Sequence, residues 1–438
     1  MTVAKRQLHL GLFLFGTGAF LAGWRIPGAT DNNEDIASLQ RIAAQAERAK
    51  FDLVFLADNL ACLLDYHPSE MAKLEPMVEL SALGVLTSHI GLGGTVSTSF
   101  SEPYNVARMV SSLDHVSRGR AAWNVVNASI PESAENFGRP KPIHDEFSHD
   151  ERYEIAGEFI QVVKALWDSW SDDAFVRDRG SGMFVDPSKV RPINHQGKYF
   201  SVKGPLNSSR PPQGHPVIIM AGSSPAGQRC AARHAEMVFT NQQTVPEAKI
   251  FYDGIKQQAA AAGRKPDHCN IMPGLFPIVA PTREEARAKL EKMATYIDDR
   301  LALGTLAVRF GHDMSQFPLD GPMPVLPKQT SYSRLQFARA ERENLTWRQL
   351  YNILAISRGY CVACGSPTDV ADLMEEWLTE RACDGFMITA SHFPDGFRDF
   401  TDLVVPELQR RGIFRKEYRG STLRDHLGLP RPENRSSV

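Results

Sequence analysis

One pattern constrains the fold most: short, continuously apolar runs recur along the chain, and each is followed by a stretch with apolar residues at helical spacing. Leu8–Phe15 reads LHLGLFLF, Phe51–Ala57 reads FDLVFLA, Ile90–Thr98 reads IGLGGTVST and Ala121–Val126 reads AAWNVV. A strand that is apolar on both faces must be covered on both, which a parallel sheet wrapped by helices provides and a half-wet antiparallel sheet does not. Between these runs, Glu34–Lys50 carries Ile36, Leu39, Ala43 and Ala46 on one helical face, Met77–Thr87 opens behind Pro76, and Val106, Met109, Val110 and Leu113 mark a third helix. A long helix beginning near Asp150 presents Tyr153, Ala156, Phe159, Ile160, Val163 and Trp167. The alternation continues with strands expected at Pro216–Ala221, Glu236–Thr240, Ile271–Val279 and Asp384–Thr389. Helices are expected at Pro225–His234, Pro246–Ala262, Arg283–Leu303, Asp369–Glu380 and Phe397–Arg411.

Eight such strands, each returning through a helix, predict a (β/α)₈ TIM barrel, with a doubly wound open sheet as the rival. No fixed-period repeat interrupts the pattern. The whole chain, 1–438, is expected to be a single barrel domain with two insertions on the catalytic face. The first, about 172–215, carries a hairpin signal at His195-Gln-Gly-Lys, and the second, about 304–346, holds Pro318, Pro322, Pro324 and Pro327. The tail 415–438 is charged and contains proline, and is expected over the surface.

Charge and cysteine content narrow the function. Lys+Arg 49 against Asp+Glu 51 gives a formal charge of −2, so there is no basic excess to neutralise a phosphate backbone, and nucleic acid is excluded as the expected partner. Six dispersed cysteines are too few for a disulfide framework and point to a reducing compartment. Lys5 and Arg6 before the apolar run Leu8–Trp24 have the outline of a signal peptide, but four glycines, His9 and Thr17 break that run. A buried first strand followed by a glycine-rich loop explains it better, and the protein is expected to be cytoplasmic.

Several motifs bear on chemistry. Gly16-Thr-Gly18 starts like a dinucleotide fingerprint, but Leu21 stands at the third glycine position and no helix opens after it. Cys361-Val-Ala-Cys364 lacks a second metal-binding pair, so both cysteines read as packing residues and no metal is expected. The loop Ala221-Gly-Ser-Ser-Pro-Ala-Gly227 follows a strand and opens a helix, where free N–H groups and the Ser223 and Ser224 hydroxyls can hold a phosphate; an N-cap without ligand is the plainer alternative. His149 and Tyr153, four apart, share a face if the helix begins by His149, and both can donate to phosphate; Arg152 is expected to point elsewhere, and an acidic N-cap on a surface helix is the alternative. Asp58 ends a wholly apolar strand and so is expected at the barrel mouth. Thr95, Ser97 and Ser99 alternate, giving a row of hydroxyls on one face that could meet a planar heterocycle or simply pack.

Phe51–Asp58, the stretch Ser112–Val126 (SLDHVSRGRAAWNVV), Asn136-Phe-Gly138, His149–Tyr153, Gly204-Pro-Leu206, Ala221–Ser224, Val405–Arg415 (VPELQRRGIFR) and Leu423–Leu427 together resemble the flavin-dependent monooxygenases of the bacterial luciferase superfamily. The resemblance, from about Leu8 to Leu429, is to the branch that includes nitrilotriacetate, EDTA, dibenzothiophene-sulfone and long-chain alkane monooxygenases. It implies a (β/α)₈ barrel that takes reduced FMN from a separate NAD(P)H:flavin reductase, forms a C4a-peroxide with O₂ as co-substrate, and assembles as a homodimer or homotetramer. Carried over by position, it puts Asp58, Ser99, Asn127, His149, Tyr153, Ser223 and Ser224 at FMN; Asn127 stands where the family often has threonine. No side chain need be a nucleophile, since the chemistry belongs to the cofactor. A deazaflavin-dependent oxidoreductase and a non-catalytic flavin-binding barrel are the alternatives. The branch is closest to nitrilotriacetate oxidation over Gly204–Ser224, which favours a small aminopolycarboxylate-like substrate. Arg25, Arg139, Lys141 and His144 are the loop residues that could meet it, Arg25 and Arg139 foremost.

Overall fold

In the computed structural model, which describes residues 6–127, 130–139, 143–222 and 224–434, nine parallel strands build one sheet. They are β1 (His9–Phe13), β2 (Leu53–Leu56), β3 (Gly91–Ser97), β4 (Ala121–Val126), β5 (Val217–Ala221), β6 (Met237–Thr240), β7 (Asn270–Val279), β8 (Cys361–Gly365) and β9 (Gly385–Ile388). Eight of them close a ring: β1 pairs with β2, the pairing runs on in order to β7, and β9 joins β7 back to β1. The (β/α)₈ barrel is therefore present, and the open doubly wound sheet is not.

Alternation along each strand divides the core. Leu10, Leu12, Val54, Leu56, Trp123 and Val125 face outward against the helices. Phe13, Leu53, Phe55, Ala122, Val217, Ile219, Met237 and Met387 fill the barrel. Gly91 and Gly93 of β3 belong to the inner face: a Cβ on Gly93 would sit 3.1 Å from the side chains of both Ile219 and Leu53. Their period of two therefore turns Thr95 and Ser97 inward at the upper, carboxyl end of the strand.

Four expectations need correction. The ninth strand, β8, was not foreseen: CVACG is short, and Cys364 is only partly buried. It pairs with β7 from Leu275 to Val279, on the edge that β6 vacates at Thr240. The helix expected at Arg283–Leu303 is two, Arg283–Ala294 and Asp299–Phe310, because Thr295–Asp298 turns the chain and Asp298 caps the second. The expected bound of the second insertion at about 304 consequently falls inside that second helix, and the segment to 346 contains another, Ser331–Glu343. The tail is not wholly superficial: Leu423, Leu427 and Leu429 join the inner cluster and plug the amino end of the barrel. Buried Arg424 fixes that plug, pairing with Glu236 at 2.7 Å and donating from Nε to the His215 carbonyl at 2.7 Å. Among the described residues, no helix is long and apolar enough to cross a membrane.

Candidate active site

A cavity of about 530 Å³ opens at the carboxyl ends of β2 to β5, within the size range of small-molecule sites. Asp58 and Asn59 reach it from the end of β2, Thr95 and Ser97 from β3, Asn127 from β4, and Met220 and Ala221 from β5. The helix His149–Trp167 supplies His149, Arg152 and Tyr153. Ser148 caps this helix by accepting from the Glu151 N–H, so its first turn starts at His149 and the i,i+4 face holds. The rings of His149 and Tyr153 lie 5.2 Å apart, edge to face.

Arg152, expected to point elsewhere, lines the same cavity. Arg152 stands at i+3 from His149 and Tyr153 at i+4, so all three share one helix face.

The end of the cavity toward the helix Pro225–His234 is built from close approaches. Ser224 caps the helix Pro225–His234, accepting from the Gly227 N–H at 3.2 Å. A Cβ on Gly227 would stand 2.9 Å from the Tyr153 hydroxyl and one on Gly222 3.2 Å from it, so glycine at both positions lets the phenol sit against the loop. Burial pushes the Tyr153 phenol above its ordinary range, against the pull of its hydrogen bond with Ser224. It is therefore a neutral O–H donor across the working pH range. Ser223 lies outside the described residues.

At the other end, Thr98 Oγ1 donates to Asn127 Oδ1 at 2.9 Å, which fixes the orientation of the amide and leaves its NH₂ as the face offered to the cavity. Asn124 Nδ2 donates to Thr95 Oγ1 at 2.8 Å, and Thr95 in turn donates to the Leu56 carbonyl at 2.8 Å. Ser99 sits just beyond β3, its N–H donating to Ser97 Oγ at 3.1 Å; Ser97 lines the cavity and Ser99 does not. Asp58 lies 3.3 Å from Lys73 Nζ, yet burial outweighs that attraction and holds its carboxyl above the usual range. Behind it, burial pushes the Glu79 carboxyl up to about 8 in spite of Lys73.

Neutral donors and a ring-sized slot thus converge where barrel enzymes place their chemistry. The luciferase-like monooxygenase family matches residues 17–385. The chain belongs to this family. This luciferase-like monooxygenase is 48% identical over 442 residues to N-acetyl-S-(2-succino)cysteine monooxygenase of Bacillus subtilis (strain 168), with 99% of each chain covered. It is 44% identical to nitrilotriacetate monooxygenase component A of Aminobacter aminovorans, with 98% of each covered. The solved structure of EDTA monooxygenase from Chelativorans sp. BNC1 superposes with a TM-score of 0.82 at 32% identity, covering 97% of this chain and 99% of that one. The protein is an enzyme, a flavin-dependent monooxygenase of the luciferase-like type.

Of the loop cations singled out for substrate, neither Arg25 nor Arg139 lines the monooxygenase cavity. Arg25 is exposed and donates to the Tyr296 carbonyl. Arg139 is half-exposed at the rim, 3.1 Å from Glu146 and stacked on Phe100, itself stacked on Phe137. Lys141 and the His144 side chain lie outside the described residues. What the sequence did not signal is a second polar centre beside β1, around Tyr66, His67, Arg309 and Arg358, drawn from three distant segments.

Proposed function

We propose that this chain is the oxygenase of a two-component system: it binds FMN reduced by a separate NAD(P)H:flavin reductase and inserts one atom of O₂ into a small polycarboxylate. The observation carrying the flavin assignment is the joining of two unlike ends in one cavity. His149 and Tyr153 line one end, with Ser224, hydrogen-bonded to Tyr153, at the adjoining N-terminus of the helix Pro225–His234, and Thr95, Ser97, Asn127 and Asp58 line the other. A phosphate fits the first and the polar edge of a planar heterocycle the second. Reduced flavin, when bound, supplies the electrons that divide O₂ between product and water.

The protein's own part is to hold and to keep dry. Tyr153 and Ser224 orient the phosphate end without adding charge, Asn127 presents its amide along the slot, and Asp58, whose carboxyl burial holds above its ordinary range, stands paired with Lys73 at the same end. Val96, Val125 and Met220 give the cavity apolar walls that exclude water from the reacting centre. The substrate class is supported by the relatives: those acting on N-acetyl-S-(2-succino)cysteine, nitrilotriacetate and EDTA all take molecules with several carboxylates. A reductase partner is supported by the component A designation of the second relative, and a cytoplasmic setting by six cysteines that form no disulfide.

Oxygen uptake with a flavin reductase, NADH and FMN tests the reading. Uptake coupled to loss of N-acetyl-S-(2-succino)cysteine or nitrilotriacetate is expected, and the chain without reductase should leave NADH unchanged. Hydride-type oxidation of substrate without oxygen consumption would overturn it in favour of deazaflavin chemistry.

A further inference from the structure

We infer that Arg358 and Arg309, with Thr305, form a subsite for one carboxylate of the substrate on the β1 side of the barrel mouth. This rests on the polycarboxylate reading above. The helices Asp299–Phe310, Ser331–Glu343 and Trp347–Ser357 pack through Leu306, Phe310, Trp347, Leu350 and Leu354 into an apolar cap of their own. Two guanidinium groups are set at the base of that cap. Arg358 is 6% exposed, and its Nε and Nη1 have no hydrogen-bond partner. Thr305, 7% exposed, has an unpartnered Oγ1, and the Nε of Arg309 is shielded and unpartnered as well. All three residues line one small void together with His67 and Tyr332.

The charges around that void do not balance. Arg358 pairs through Nη2 with Glu70, whereas Arg309 has no carboxylate partner among the described residues; its Nη1 donates to the Arg358 carbonyl at 3.3 Å and its guanidinium lies over the Tyr332 ring. His67 cannot supply the missing charge: Nδ1 accepts from the Ser69 N–H at 3.3 Å, so Nε2 donates to the Ala19 carbonyl at 3.0 Å, and burial with Arg358 nearby keeps the ring neutral. The Tyr66 phenol lies beside both guanidinium groups and is hydrogen-bonded to Arg309, and although burial raises it, the two cations hold it below its ordinary range. Two cations, one carboxylate and four idle polar atoms describe a site whose anion comes from outside, because a shielded guanidinium left uncompensated is costly and a carboxylate matches its fork in two hydrogen bonds.

The subsite adjoins the flavin cavity. Glu70 Oε2 accepts from Asn59 Nδ2 at 3.2 Å, and Asn59 lines the large cavity. The Phe15 ring lies 4.5 Å from the Arg358 guanidinium and stacks on Phe13, so the substrate's methylenes have an apolar wall between the two places. The void is only about 10 Å³, the room of one water. A carboxylate therefore enters by displacing the cap helix Asp299–Phe310 or the side chains lining it, and the subsite closes on its ligand.

Binding to the FMN-loaded full-length protein decides the matter, with N-acetyl-S-(2-succino)cysteine and nitrilotriacetate as probes and nitrilotriacetate trimethyl ester as the neutral control, measured by calorimetry. Arg309→Met should weaken the anionic probes at least tenfold, Arg309→Lys should fall between, and the ester should not distinguish the variants. FMN affinity by fluorescence titration should stay within twofold. Arg358→Met leaves Glu70 without its partner and risks misfolding, so Arg309→Met, which breaks no ion pair, is the decisive variant. A thermal shift adds a readout that a merely structural arginine would not give: the probes should raise the unfolding temperature of the wild type and not of Arg309→Met. Equal probe affinity in Arg309→Met and wild type, with FMN binding intact, overturns the subsite while leaving the monooxygenase reading in place. Failure of the wild type to bind either probe overturns the polycarboxylate reading and the subsite with it.

Discussion

The two polar centres at the mouth of this barrel are opposites. The cavity over β2 to β5 is roomy, about 530 Å³, and lined by a mixed set of groups: a phenol, hydroxyls, an amide, His149, and charges of both signs in Arg152, Glu75 and a carboxyl that burial raises. The centre beside β1 has room for one water and holds two guanidinium groups with idle donors. The difference separates two binding problems. A cofactor that must be exchanged with another protein is held by many modest hydrogen bonds, while a small, highly charged substrate is selected by few strong ones that are strained until it arrives.

The largest effect that would break this contrast is on flavin. Ser224→Ala combined with His149→Ala removes two contacts that each contribute about 1.5–3 kcal/mol toward a phosphate. FMN affinity should fall on the order of 10²- to 10⁴-fold by fluorescence titration. A double variant that binds FMN like the wild type would move the phosphate away from the helix Pro225–His234.

How much of this was legible in the sequence depends on how local each feature is. β2, β4 and β5 stood out because each is a continuous apolar run, and a barrel puts every strand's carboxyl end on one face, so Asp58, Asn127 and the serine loop fell near one cavity by topology alone. His149 and Tyr153 needed only a helix phase. Arg152 was misplaced because only the i,i+4 pair was read, although i+3 lies on the same helix face. The tail misled because its charged residues outnumber the three leucines that plug the barrel. Arg309 and Arg358 were invisible for a stronger reason: Arg309 ends an apolar helix, Arg358 follows another, and only the folded cap brings both against His67 from the other end of the chain.

The next effect concerns the buried carboxyl behind Asp58. Burial pushes the Glu79 carboxyl from 4.5 up to about 8. An unfolded chain releases that proton near 4.5 and the folded protein does not, so the folded state binds more protons in between. Wild-type stability should therefore decline as pH rises from about 4.5 to about 8 and level off above. Glu79→Gln lacks that proton and should show a flatter profile, becoming the more stable form at pH 8 by on the order of a few kcal/mol. Urea midpoints across the window measure it, and parallel profiles would mean that Glu79 is ionised in the folded protein.

Smaller again is Tyr153→Phe, which removes one neutral donor while keeping the ring that fills the space beside Gly222 and Gly227. FMN affinity should drop about tenfold, at about 1.5 kcal/mol for one hydrogen bond, with little change in substrate binding. A larger loss of substrate affinity than of FMN affinity would merge the two centres into one.

The smallest effect separates buried from exposed cations. Arg25 is the sequence's most visible candidate for a substrate carboxylate, following the first strand and its glycine-rich loop, but its side chain is in solvent and spends a donor on the Tyr296 carbonyl. An exposed guanidinium is already hydrated, so pairing it with a carboxylate in water gains roughly 0–1 kcal/mol. Arg25→Met should accordingly change the KM for nitrilotriacetate or N-acetyl-S-(2-succino)cysteine by less than about threefold, which is within 1 kcal/mol, and leave FMN affinity unaltered. Arg309→Met, measured alongside, should exceed it clearly, because in a shielded site the lost attraction is not replaced by water. If Arg25→Met proves the more damaging of the two, the substrate enters across the exposed loop after β1, and the cap of three helices is scaffolding.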